Sequence, residues 1–157
     1  MATWPRLRPA TNDDCEQIRD LVYGVLGEYG LKPDPGATDA DLNDIEQAYF
    51  ASGGAFYVLE GQHGPIIGAY GLYRIDERTC ELRKMYLRRE YRGKGLGKRL
   101  LEDALVHARR LGFTNVVLET ASVLEEAIAL YQSYGFVPYD PGHLSARCDQ
   151  AYILKLQ

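Results

Sequence analysis

No apolar run in the 157-residue chain approaches the roughly 20 residues a membrane-spanning helix needs, so such a span is excluded. The N-terminal Met-Ala-Thr-Trp-Pro-Arg-Leu-Arg has no apolar stretch after its charges. It reads as neither a signal peptide nor a transit peptide, and the cytoplasm is the expected location. Cysteine is scarce: Cys15, Cys80 and Cys148 show no C-x-x-C spacing, which argues against a disulfide framework and a zinc site and fits reduced thiols. His63, His107 and His143 form no cluster, so no metal is implied; His63 is expected in a turn and His107 on the solvated side of a helix. Repeats, low-complexity tracts and linkers are absent as well. The length fits one domain, 1–157, with a core that needs no staple. Positive charge is in deficit, at a net −4, and no aromatic platform interleaves the cations. Neither nucleic acid nor a membrane is an expected partner.

What positive charge there is lies unevenly. Arg83, Lys84, Arg88, Arg89, Arg92, Lys94, Lys98 and Arg99 crowd seventeen residues, which points to a local anion. Ahead of them, Thr11 to Asp14 offers helix caps to Ile18, Leu21, Val22, Val25 and Leu26 at helical spacing. Thr38-x-x-Asp41 reads as a capping-box relative opening a second helix that ends near Gly53-Gly54. Three strands follow as a meander: Ala55 to Leu59, Ile66 to Tyr73 and Cys80 to Leu87. Leu96 to Leu111 carries one apolar face and is stopped by Gly112. Val116 to Glu119 predicts a strand, Leu124 to Tyr134 a helix closed by Gly135, and Phe136-Val137 with Tyr152 to Leu156 the closing strands. The expected fold is therefore α/β, a mixed sheet with an antiparallel meander, a strand-helix-strand crossover and helices on both faces.

The junction between the third strand and the long helix reads YRGKGLGKRLL, Tyr91 to Leu101. The first N–H groups of a helix lack internal partners, and no Ser, Thr, Asp or Asn stands just ahead of Leu96 to cap them. Glycines let the backbone approach a ligand, and the helix dipole with Arg92, Lys94 and Lys98 favours negative charge, so a phosphate or pyrophosphate fits. A solvated basic turn is the alternative. A P-loop fails on glycine spacing and on Arg99 after Lys98; G-x-G-x-x-G fails because Lys98 and Leu100 occupy the last-glycine positions.

The match is R-x-x-G-x-G, at Arg92-Gly93-Lys94-Gly95-Leu96-Gly97. With ELRKMYL before it and LETASVLEEAIALYQSYGF after it, the stretch from Ala55 to Phe136 resembles the GNAT superfamily of N-acetyltransferases. The resemblance implies a GNAT-like fold, acetyl-CoA as cosubstrate, and acetyl transfer to a primary amine by direct attack on the thioester. It implies that backbone amides from Gly93 to Lys98 hold the pyrophosphate, with Arg92 at the motif's Gln/Arg position. The strand at Met85-Tyr86-Leu87 would pair with the pantetheine arm and polarise the thioester carbonyl, as an oxyanion hole does.

Tyr131 matches the tyrosine that protonates the departing thiolate, and a phenol near pKa ~10 can do so for a thiol of pKa ~8.5 if held close. Core packing explains the same residue. Glu81 and Glu119 compete as the base that deprotonates the amine, directly or through water, and each could equally be a strand-end charge or a partner for Arg83 or Lys84. Leu124 departs from the asparagine many relatives carry there, and so a non-catalytic CoA or acyl-CoA sensor stays open. Cys148 is taken as structural rather than as a nucleophile. The acceptor, a small-molecule or peptide amine, is unassigned; Asp34, Asp39, Asp41 and Asp44 point to a cationic one or simply cap a helix. A homodimer is left open.

Overall fold

Alternating apolar positions and β-branched residues make the centre of the chain a sheet. The computed structural model describes residues 4–157, so the first three residues of the N-terminal segment read above lie outside it. Its seven-stranded sheet has the order β1-β2-β3-β4-β5-β7-β6, built from β1 (Arg6–Pro9), β2 (Ala55–Glu60), β3 (Ile66–Arg74), β4 (Thr79–Leu87), β5 (Asn115–Thr120), β6 (Val137–Pro138) and β7 (Gln150–Lys155). All neighbours are antiparallel except β4 and β5, the parallel pair. The meander, the crossover and the closing strands all stand as the sequence predicts.

Helices α1 (Cys15–Glu28), α2 (Leu96–Arg110) and α3 (Glu125–Ser133) cover the sheet. On one face Ile18, Leu21, Val22 and Leu26 of α1 pack with Phe56, Val58 and Ala69; on the other, Leu100, Leu101, Ala104 and Ala108 of α2 pack with Leu82, Val116 and Leu118. The sheet is buried on both sides, and the site opens where its strands separate.

Two expectations are corrected. The second helix is not continuous: the segment makes a 3₁₀ turn at Ala40–Asn43 and a π turn at Glu46–Phe50 before ending near Gly53 as expected. Thr38 caps nothing there, because its hydroxyl and N–H both go to Asp34. Polar side chains tie this segment to the rest of the fold, and a regular helix would pull those ties apart. His107 is not on a solvated face. It stacks on Tyr57 with ring centroids 4.2 Å apart, and its Nδ1 lies 3.0 Å from the Tyr70 hydroxyl, which donates to Asp103.

Candidate active site

Strands β4 and β5 pair only from Thr79 to Glu81 against Asn115 to Val117. Both run on past that point without touching, β4 to Leu87 and β5 to Thr120, and a cavity of about 530 Å³ fills the gap. β4's edge beyond Glu81 has no strand partner on this side, which leaves it open to an extended ligand. Three residues of β4 span what two of β3 span, since Gly71 pairs with Arg83 while Ala69 pairs with Tyr86. Lys84 absorbs the bulge at φ 55, a left-handed backbone that is unfavourable for a side-chain-bearing residue and persists only where its surroundings hold it.

Those surroundings are the carboxylates expected to face the acceptor. Lys84 Nζ lies 2.9 Å from Asp39 Oδ1 and donates to Thr38 O at 3.0 Å. Arg147 donates to both Asp39 oxygens at 2.7 Å, and the Asp34 N–H donates to Asp39 at 2.8 Å. Burial alone would raise the Asp39 carboxyl, but these bonds hold it well below the carboxylate range. Asp41 accepts the Tyr49 hydroxyl, Asp34 holds Thr38, and Asp44 accepts Asn12 and Gln47. The acidic run is an internal staple between the 30–45 segment, β4 and the loop before β7, so it lends no cationic preference to the cavity.

At the other end, α2 begins at Leu96 behind Gly95, which has φ 81 and no side-chain cap, and Gly93 has φ 76. A Cβ at either would meet nothing within 4 Å, so conformation and not crowding calls for glycine. Gly93 and Gly97 line the cavity with Arg92, whereas Lys94, Gly95, Leu96 and Lys98 do not. The cations are less concentrated than the sequence implies. Arg92 donates to Glu28 at 2.8 and 3.2 Å and to Leu87 O at 3.0 Å; Arg88 donates to Ile66 O and Arg99 to Pro5 O. Lys94 and Lys98 have no acidic partner among the described residues, so they and the helix N-terminus supply the local positive field.

Met85, Tyr86, Leu87, Glu81, Glu119 and Tyr131 all line the cavity. Tyr131 is buried, and burial followed by the neighbouring Tyr86 pushes its phenol well up, so it is protonated but a weaker acid than a free phenol. Glu81 is taken by Arg83, whose Nε donates to Glu81 Oε1 at 2.5 Å. Glu119 accepts one bond, from the Ser145 N–H at 2.8 Å. Leu124 also lines the cavity, as an apolar part of its wall. Cys148 lies in the loop before β7, and burial raises its thiol, with the Glu119 charge adding and a Ser145 bond opposing. It is a thiol, not a thiolate nucleophile. The sequence reading missed Arg147 and Ser145, which the β6–β7 loop brings to the wall.

An uncapped helix N-terminus, an open strand edge and a buried phenol border one cavity. The model of the acetyltransferase (GNAT) family fits residues 20–136. The chain belongs to this family.

Among GNAT proteins it is similar to the uncharacterized N-acetyltransferase YjgM of Escherichia coli strain K12, with 40% identity over 141 residues, 87% of this chain and 84% of that protein. An acetyltransferase structure from Staphylococcus aureus Mu50 superposes with a TM-score of 0.90 at 24% identity, over 97% of this chain and 99% of the other. The structure of YncA from Salmonella typhimurium with its cofactor acetyl-CoA superposes with a TM-score of 0.73 at 25% identity, over 97% and 94%. The protein is an acetyl-CoA-dependent N-acetyltransferase, which decides between enzyme and sensor in favour of the enzyme. No described helix is long and apolar enough to cross a membrane.

Proposed function

We propose that residues 1–157 act as one catalytic domain in the cytoplasm, with Glu119 as general base, Tyr131 as general acid and the 93–98 loop as the pyrophosphate cradle. Acetyl-CoA supplies an activated acetyl group on a thioester. The residues fit it: the bare N–H groups of α2 suit a diphosphate, and the open edge of β4 at Met85 to Leu87 suits the amide-bearing arm. An ammonium cannot attack, so its proton leaves to Glu119, whose second oxygen has no protein donor among the described residues. Tyr131, held protonated by burial, delivers the proton that the departing sulfur takes up. Glu81 is the weaker base because its carboxylate holds Arg83 in place.

The observation that carries this reading is the single cavity joining the glycine end to Glu119 and Tyr131. Its test is the pH dependence of kcat/KM in Glu119→Gln and Glu81→Gln. Loss of the base is expected to lower kcat/KM roughly 100-fold in Glu119→Gln and to remove the acid limb of its profile. A Glu119→Gln profile that overlays the wild type would exclude Glu119 as the base.

A further inference from the structure

Four cations line the cavity, and three are fully engaged. Lys84 and Arg147 belong to Asp39, and Arg92 belongs to Glu28 and the Leu87 carbonyl. Arg83 is different. Its Nε is fixed by Glu81 at 2.5 Å, and its guanidinium carbon stands 3.9 Å over the Tyr73 ring. One edge and one face of the guanidinium are thus held, and its rotamer freedom is removed in advance of binding. The two terminal nitrogens have no acceptor among the described residues, and the side chain, 29% exposed, borders the cavity. A planar pair of donors presented this way is the geometry that binds a carboxylate in two parallel bonds.

Glu119 complements it. Glu81 pairs with Val117 across the parallel register, and side chains two residues apart share a sheet face. Arg83 on β4 and Glu119 on β5 therefore stand on the same face, on either side of the gap. Glu81, Glu119, Arg147 and Cys148 all line the same cavity, so these groups surround one volume. Glu126, the other carboxylate on the wall, is exposed on the first turn of α3. The acceptor end thus offers one free guanidinium fork and one free carboxylate oxygen.

We propose that the acceptor is a small amino acid with a free carboxylate, which the Arg83 fork binds while its amino group faces Glu119. This rests on the acetyl transfer and the base assigned above. A polyamine, or an amine without an acid, would bring nothing to the fork and would leave its donors unpaired beside the bound substrate, which costs affinity.

The test is a panel of amino acids, each paired with its carboxamide, as acceptors for acetyl-CoA. The expected result is a kcat/KM for the preferred acid about 10- to 100-fold above its amide, as a charge-assisted pair to a carboxylate would give. In Arg83→Gln that ratio is expected to fall to near one, and in Arg83→Lys to an intermediate value, because a point charge lacks the fork. Should Arg83→Gln fold poorly, the double variant Arg83→Gln/Glu81→Gln removes the orphaned carboxylate. A wild-type ratio near or below one, or a ratio that survives Arg83→Gln, overturns the proposal. If no member of the panel is acetylated, turnover gives no ratio, and the base assignment keeps its own test in the Glu119→Gln profile. Calorimetric titration of the CoA-bound protein with the same pairs then decides the carboxylate preference, and equal or absent binding of acid and amide overturns it.

Discussion

Replacing Asp39 with asparagine tests whether one buried carboxylate holds the acceptor side together. Its side chain is fully buried and receives two bonds from Arg147 at 2.7 Å, with Lys84 at 2.9 Å and the Asp34 N–H at 2.8 Å. Asparagine keeps one acceptor oxygen, turns an amide N–H₂ toward cationic donors and leaves Lys84, 5% exposed, without its main counter-charge. Breaking a buried pair by removing one partner costs about 3–5 kcal/mol. For a domain of this size each kcal/mol shifts Tm by ~2–4 °C, so a fall of roughly 6–20 °C is expected. The sign with pH follows from the depressed carboxyl. A folded pKa below the unfolded 3.8 stabilises the fold fully above that value, and the stability is lost as pH falls through the folded pKa. The gap between wild type and Asp39→Asn should therefore be constant from neutral pH to about 4 and close only in stronger acid. Urea melts at several pH values measure it, with the exposed Asp44→Asn as control. A neutral-pH difference under about 1 kcal/mol, or one that closes well above pH 4, would refute the argument. Pairing Asp39→Asn with Lys84→Met should recover part of the loss, because it removes the stranded charge.

Tyr131→Phe should lower kcat by roughly 100-fold while CoA affinity stays within about twofold, measured by steady-state kinetics and calorimetry; equal turnover would remove the phenol from the mechanism. Gly95→Asp places a side chain at φ 81 and a negative charge at the start of α2, so CoA binding should weaken by at least about tenfold without loss of the far-UV spectrum. Unchanged calorimetric affinity would refute the cradle. Gly71→Ala would set a Cβ 2.7 Å from Phe56 Cδ2 and Tyr49 Cε1, both in the core behind β3. A loss of about 1–3 kcal/mol in a urea melt is expected, and a neutral result would show that those rings can yield.

Elements whose stability comes from a repeating pattern were legible in the sequence. The apolar face of α2 and the Gly112 stop after it, the strands of the meander and the Gly135 stop after α3, at φ 96, stand where periodicity and turn chemistry placed them. The glycine turn ahead of α2 was legible for a related reason, since it lies in one contiguous loop and helix start. The 38–50 segment was not, because no local pattern shows that Asp39 will meet Arg147, 108 residues away, or that Asp41 will take the Tyr49 hydroxyl. The crowding of eight cations misled in the same way: Arg88, Arg92 and Arg99 bond backbone carbonyls or Glu28, and sequence spacing carries no information about such partners.

This division has a mechanical consequence for the acceptor side. On the function proposed above, the 93–98 loop meets its ligand through backbone groups and a helix dipole within one contiguous stretch. The wall proposed for the acceptor instead comes from three separate segments, the 30–45 stretch, β4 and the loop before β7, joined at Asp39. The same carboxylate holds Lys84 at its left-handed bulge, where β4 turns Met85 and Tyr86 to opposite faces of the sheet. A shift of Asp39 would therefore move the acceptor loops and the β4 edge together. Acceptor alignment and the geometry of the reacting strand are one mechanical unit, so Asp39→Asn should lower kcat more than it raises the KM for acetyl-CoA.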